Sequence, residues 1–210
     1  MKLKKIASLA LAGIMAVSML AGCKDGTNQE DPSSSSSEIT TVNGAAEALN
    51  AALSRNKDVI KFENDDTLNK NLEAYFALNP IKGDEWNSTK YEEDDVTGTN
   101  LKTAIGANDI GKTQLGYYIT QTKDDGGHDG KTVAWVSMYN TAVYSEADAL
   151  KTVGKVIDQY DFVEDKSNAK DDGKMYDFSG AASVLEVKSA KGGASAWVVV
   201  VTITKDYAKV

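Results

Sequence analysis

The sequence predicts an α+β domain with a mainly antiparallel sheet of about four strands in two hairpins, packed with about three helices. Apolar residues recur at helical spacing in three segments, and they alternate or run together in four short segments rich in β-branched and aromatic residues. The expected element order is α-α-β-β-α-β-β. Strands that follow one another in pairs favour antiparallel hairpins over parallel βαβ units.

The three predicted helices each carry an apolar stripe. The first covers about Ala45–Ser54, and the second starts after residues 65–66 and ends before residues 79–80, which are Asn-Pro. The third begins after Ser145, where Asp148 lies three residues further on and the pair resembles a capping box. We interpret all three stripes as faces that pack into the core.

The four predicted strands form two hairpins. Leu115–Thr122 and Thr132–Tyr139 flank a loop rich in Gly and Asp, and Val184–Ser189 and Ala196–Thr204 flank a second Gly-containing turn. The run Trp197–Ile203 is apolar on both faces, which is typical of a central strand covered on both sides.

The N-terminal segment has the composition of a secretory signal. Three lysines among the first five residues precede an apolar run from Ile6 to Leu20, which is shorter than the roughly 20 residues of a membrane span. The segment closes with Leu20-Ala21-Gly22-Cys23 and resembles the lipobox of bacterial lipoproteins. That resemblance implies cleavage between Gly22 and Cys23 and a diacylglycerol on the Cys23 thiol. It also implies a lipid-anchored protein on the extracytoplasmic face of a bacterial membrane.

Composition divides the chain into three parts. We expect a signal peptide at 1–22, a lipidated Cys with a disordered Ser-rich tether at 23–38, and one globular domain at 39–210. A tether of this length reaches about 20 Å in the flexible regime. Within the domain, residues 81–112 give little pattern beyond a short helix near Leu101–Ile105.

The charge is strongly acidic. The full chain carries a net charge of −8, and removing residues 1–22 takes away three lysines and no acid, which lowers it to −11. Such a surface repels nucleic acid, so we expect no nucleic-acid partner. We expect the protein to contact the membrane through the lipid on Cys23. Because Cys23 is the only cysteine, its lipidation leaves no thiol for a disulfide, a nucleophile or a metal ligand.

Catalytic motifs are absent from the sequence. The single histidine, His128, lies in a Gly-rich loop, which is a poor place for a triad or a zinc ligand set. No nucleophile elbow, zinc-protease helix motif or phosphate loop occurs. A pair of carboxylates for glycoside hydrolysis remains an alternative, but with 31 acidic residues the sequence singles out no pair.

The loop before the second predicted strand suggests one candidate metal site. Asp124, Asp125 and Asp129 lie in a stretch whose spacing matches part of an EF-hand, but Gly127 and Val136 occupy positions that need ligands. A looser Ca²⁺ site is therefore the only cofactor hypothesis. A solvated turn is the favoured interpretation, because Asp and Gly suit turns for backbone reasons alone.

Aromatic residues suggest one candidate binding face. Tyr117 and Tyr118 on one predicted strand, with Trp135 and Tyr139 on the next, would form a platform suited to sugar rings or a protein partner. Core packing is the favoured interpretation, because cross-strand aromatic pairs commonly stabilise sheets.

These observations favour a non-enzymatic binding or assembly module at the cell surface, whose partner is a protein or a glycan. Two alternatives stay open: a carboxylate-dependent hydrolase of glycan or wall substrates, and a small ligand-binding lipoprotein associated with a transporter. An exposed aromatic patch would support the first class, and a pocket of converging carboxylates would support the hydrolase.

Overall fold

Two long strands form the centre of the structure, a computed structural model that describes residues 38–81, 93–120, 130–162, 174–189 and 195–209. These residues all belong to one compact unit, Ser34–Val210. The helices and strands, in chain order, are β1 (Glu38–Val42), α1 (Ala45–Ala52), β2 (Ile60–Glu63), α2 (Asp66–Leu78), β3 (Glu93–Asp95), α3 (Thr99–Ile105), β4 (Asp109–Ile110), α4 (Lys112–Thr120), β5 (Lys131–Asn140), α5 (Glu146–Ile157), β6 (Lys174–Lys188) and β7 (Ser195–Lys209).

All the described strands belong to one sheet. β6 and β7 form an antiparallel hairpin, and β5 pairs antiparallel with the other side of β7. At one edge β1 pairs antiparallel and β2 parallel with β6, while at the other edge β3 pairs antiparallel and β4 parallel with β5. The edges are therefore built from strands of two to five residues, and short edges limit unwanted pairing with other chains.

Helices cover both faces of the sheet. α1, α4 and α5 pack on one face around Leu49, Leu115 and Val153, and this cluster includes the β7 residues Val199 and Val201. α2 and α3 pack on the opposite face, over a second cluster that includes the β7 residues Val198 and Val200. β7 is thus buried on both faces, which confirms the prediction of a central strand covered on both sides.

The predicted class, an α+β domain with a mainly antiparallel sheet, is confirmed. The three predicted helices correspond to α1, α2 and α5, the second predicted hairpin to β6 and β7, and the short helix near Leu101–Ile105 to α3. The counts and the order were incomplete, because the described residues contain seven strands and five helices. The additional strands are short edge strands, which carry too few residues to show an alternating pattern.

The predicted strand Leu115–Thr122 was wrong, and with it the first predicted hairpin. Its first six residues belong to helix α4, which buries Leu115, Tyr118 and Ile119 at helical spacing and leaves Tyr117 exposed. The same letters also alternate as Leu115, Tyr117 and Ile119, so the sequence fits both periods. Packing of α4 against β5 selects the helix.

Side-chain carboxylates take part in capping the N-terminal ends of α2 and α5. The Asp65 carboxylate accepts hydrogen bonds from the backbone N–H groups of Thr67 and Leu68 at the start of α2. Ser145 and Asp148 form a capping box at the start of α5, as expected from their spacing. Hydrogen bonds from Ser145 lower the pKa of Asp148, which keeps this cap charged.

Candidate functional site

Several of the predicted site residues lie outside the described part of the chain. This applies to Gly22 and Cys23 of the lipobox and to Asp124, Asp125 and Asp129 of the candidate Ca²⁺ loop. The lipid anchor and the Ca²⁺ site therefore stay predictions. In the described ranges, no group of three or more His, Cys, Asp or Glu side chains is placed to hold a metal ion.

The predicted aromatic face is not a single exposed surface. Trp135 and Tyr139 lie on β5 with 1% and 0% of their surface exposed, inside the cluster beneath α1, α4 and α5. Tyr139 makes an edge-to-face contact with Tyr144, with ring centroids 5.1 Å apart. Tyr117 instead lies on helix α4 and is 54% exposed. The core interpretation fits Trp135 and Tyr139, and only Tyr117 is accessible to a partner.

Polar neighbours satisfy the indole N–H of the buried Trp135. Its indole N–H donates a hydrogen bond to the carboxylate of Asp95 on β3, and the Lys112 ammonium lies 5.4 Å from the indole ring centroid. Tyr160 contacts the same region and donates a hydrogen bond to the Lys112 carbonyl oxygen. Burial and the charge of Asp95 raise the pKa of Tyr160, so its hydroxyl stays a neutral donor.

A groove between helix α4 and strand β5 contains the exposed ring. It has a volume of about 490 Å³, within the usual range for small-molecule sites. We call it the α4–β5 groove. Its lining residues come from β4, α4, β5 and the residue before β4: Asn108, Asp109, Thr113, Gln114, Tyr117, Tyr118, Lys131 and Val133.

The base of the α4–β5 groove is rigidly held. The Tyr118 hydroxyl donates to the carbonyl oxygen of Lys131 and accepts from the backbone N–H of Lys205, at 3.1 Å. Lys205 is itself 2% exposed, and its ammonium lies 4.3 Å from the ring centroid of Tyr176. These contacts join α4 to β5 and β7, so the groove has a preformed base.

The rim of the α4–β5 groove presents polar atoms. Asn108 uses its side-chain oxygen to accept a hydrogen bond from the Thr132 N–H at 2.8 Å, and its amide nitrogen has no hydrogen-bond partner among the described residues. One carboxylate oxygen of Asp109 accepts from the Ile110 N–H at 2.9 Å. The Gln114 amide has no partner within the described ranges either. The rim therefore offers both donors and acceptors beside an exposed aromatic ring.

A second groove of about 590 Å³ lies beside the start of α2, on the other face of the sheet. Hydroxyl side chains from three strands line its base, namely Thr132, Ser179, Thr202 and Thr204. Glu63, Asp65 and Asp66 contribute carboxylates, but Asp65 is already occupied as the cap of α2. The described lining of this groove includes no aromatic side chain.

Within the described ranges, the carboxyl groups with a lowered pKa have structural roles and line neither groove. A hydrogen bond from the Asn64 side chain is the main cause of the lowered pKa of Glu47. For Asp158, burial raises the pKa, and hydrogen bonds from Asn56, Ser54 and Arg55 together outweigh it and lower the pKa. These shifts stabilise charged acceptors within the fold and do not mark a general acid.

Comparison with known proteins gives no assignment: no family model, no curated protein and no solved structure matches this chain. In the ranges that the structure describes, no helix is both long and apolar enough to cross a membrane. The site must therefore be interpreted from its own geometry.

Sequence reasoning found two residues of the α4–β5 groove, Tyr117 and Tyr118, and placed them on the wrong kind of element. It missed Asn108, Asp109 and Gln114, which lie in or next to the segment with the weakest pattern. The signal that could have identified α4, which forms one wall of the groove, was the helical spacing of Leu115 with Tyr118 and Ile119, three and four residues later.

Proposed function

We propose that the protein is a lipid-anchored, non-enzymatic binding module that recognises a partner at the extracytoplasmic surface of a bacterial membrane. The α4–β5 groove is the observation that carries the proposal. It combines an exposed tyrosine with polar atoms over a rigid base, on a chain with a net charge of −8. An exposed aromatic ring in a concave site is typical of ligand recognition.

The position of the module rests on the lipobox. Cys23→Ala is expected to abolish incorporation of radiolabelled lipid and to leave an uncleaved precursor, because the thiol that receives the lipid is gone. Lipid labelling followed by electrophoresis of the membrane fraction measures both effects. Cys23 is the only cysteine, so any label that remains in the variant would contradict the assignment of the anchor.

Binding in the groove is tested by photo-crosslinking in the parent bacterium. Tyr117→p-benzoylphenylalanine and, separately, Thr113→p-benzoylphenylalanine place a reactive group at the groove in the full-length, anchored protein. We expect illumination to give a discrete adduct from at least one of these positions, because a bound partner lies within reach of the benzophenone.

Leu78→p-benzoylphenylalanine is the matched control. Leu78 is 83% exposed at the end of α2 and lies outside the groove lining, so it reports only chance collisions. A discrete adduct from the groove positions but not from Leu78 supports the proposal. The absence of an adduct at both groove positions, or the same adducts at all three, would overturn it.

A further inference from the structure

We infer that the α4–β5 groove takes a neutral saccharide, an inference that rests on the proposed function and specifies its ligand class. A sugar ring has one face of C–H groups and a rim of hydroxyls, so it needs an aromatic surface bordered by hydrogen-bonding groups. The exposed ring of Tyr117 supplies the first, and the amide nitrogen of Asn108 and the amide of Gln114, which have no partner among the described residues, supply the second.

The amides match hydroxyl groups particularly well. Each sugar hydroxyl both donates and accepts, and a side-chain amide offers an N–H donor and a C=O acceptor on one planar group. The Asn108 oxygen is held by the Thr132 N–H at 2.8 Å, which fixes the direction of its amide nitrogen. Asp109 is held in the same way by the Ile110 N–H, so part of the rim is ordered before any ligand arrives.

The size of the groove favours a small ring over a protein surface. A standard protein interface covers about 800 Å² and 20–30 residues on each side. The described lining of the α4–β5 groove comprises eight residues around a volume of about 490 Å³. A folded protein partner would bury much more surface than this concave site offers, whereas one or two sugar rings match the usual volume of a small-ligand site.

The formal charges of the lining indicate a neutral ligand. Among the described residues of the lining, Asp109 and Lys131 contribute one negative and one positive charge, and the others are uncharged. An anionic sugar would also be repelled by the acidic surface of the chain. We therefore expect neutral oligosaccharides to bind better than uronic-acid oligosaccharides of the same length.

The inference is tested with the full-length lipoprotein in detergent on an array of glucan, mannan, galactan, N-acetylglucosamine and polyuronate oligosaccharides. We expect binding to at least one neutral class. Tyr117→Ala is expected to weaken that binding tenfold or more, whereas Tyr117→Phe, which keeps the ring, changes it by less than about threefold. Gln114→Ala provides a second variant in the groove, with an expected loss of at least threefold.

Leu78→Ala is the control, since this exposed apolar side chain lies outside the groove. Unchanged circular dichroism of all variants shows that they fold. Binding to polyuronate alone, to no oligosaccharide, or equally to wild type and Tyr117→Ala would overturn the inference.

Mass spectrometry of the crosslinked peptide separates this inference from the proposed function. An adduct at position 117 or 113 with the mass of hexose or N-acetylhexosamine units supports both. A peptide adduct keeps the binding module but overturns the saccharide. The absence of any adduct contradicts the proposed function itself.

Discussion

Gly180→Ala is expected to lower the free energy of unfolding by about 3 kcal/mol, the upper part of the range for overpacking a well-filled site. A Cβ at this position would lie 2.7 Å from the ring of Phe62 and 2.7 Å from the carbonyl oxygen of Thr202. Gly180 pairs with Phe62 on β2 and with Ile203 on β7, so groups of both neighbouring strands leave no room for the added methyl. Thermal unfolding followed by circular dichroism should show a melting temperature lower by roughly 6–12 °C.

Ser179→Ala is the matched control, because Ser179 is exposed and is the neighbouring residue in β6; its expected effect is within about 0.5 kcal/mol. Adding Phe62→Leu to Gly180→Ala should cost less than the sum of the two single changes, since the smaller side chain relieves part of the clash. The backbone oxygen of Thr202 cannot be removed in this way, so the relief is partial. A Gly180→Ala protein that melts within about 1 °C of the wild type would contradict this account of the sheet.

Elements with local signals were predictable from the sequence. Ser145 and Asp148 define the start of α5, because their side chains cap the first turn of this helix and lie at that turn in the sequence. α2 lies between an Asp cap and an Asn-Pro pair, and β7 is apolar on both faces over a continuous run. In each case the physical cause of the structure lies within a few residues of the element that it specifies.

Helix α4 shows where local signals fail. Tyr117, Tyr118, Ile119 and Thr120 are residue types with high strand propensity, and an alternating pattern fits them as well as a helical one. The choice is made by tertiary packing, because the helix buries Leu115 and Ile119 completely while it exposes Tyr117. A period that is ambiguous over eight residues cannot be settled without knowing the neighbouring elements.

The α4–β5 groove depends on contacts that carry no local signal. β4 is two residues long and pairs in parallel with β5, with Asp109 opposite Val133. This pairing brings Asp109 and the preceding Asn108 beside α4. No spacing of residues in the sequence indicates the pairing. The two rings of the site, Tyr117 and Tyr118, could be named from the sequence, but the polar rim that gives the site its chemistry follows from sheet topology.

Asp158→Ala is expected to lower the free energy of unfolding by about 2–3 kcal/mol at pH 7. The carboxylate lies just after α5 and accepts four hydrogen bonds from the segment that follows α1. Two come from the N–H and hydroxyl of Ser54, at 2.7 and 2.8 Å, and the others come from the N–H groups of Arg55 and Asn56, at 3.1 and 2.9 Å. Removing it leaves three consecutive backbone N–H groups without their acceptor, in a contact that joins residues more than 100 positions apart.

Asp161→Ala is the matched control for Asp158→Ala. Asp161 pairs with Arg55 of the same segment, but the two side chains are 78% and 56% exposed, so the expected loss is within about 0.5 kcal/mol. Urea unfolding of the two variants measures the difference. Equal losses would show that general acidity near the end of α5, rather than the hydrogen bonds of Asp158, stabilises this contact.

The pH dependence of the Asp158 effect has a definite sign. The pKa of Asp158 is lowered in the folded protein from its ordinary value of 3.8, so the stabilisation is complete above that value. As the pH falls through the lowered folded pKa, the carboxyl is protonated and this contribution is lost. The difference in the free energy of unfolding between the wild type and Asp158→Ala should therefore shrink from pH 7 towards about pH 2. Asp158→Asn has no charge to lose, so its difference from Asp158→Ala should stay constant over the same range. A gap between wild type and Asp158→Ala that stays the same across this range would mean that the hydrogen bonds do not depend on the charged carboxylate.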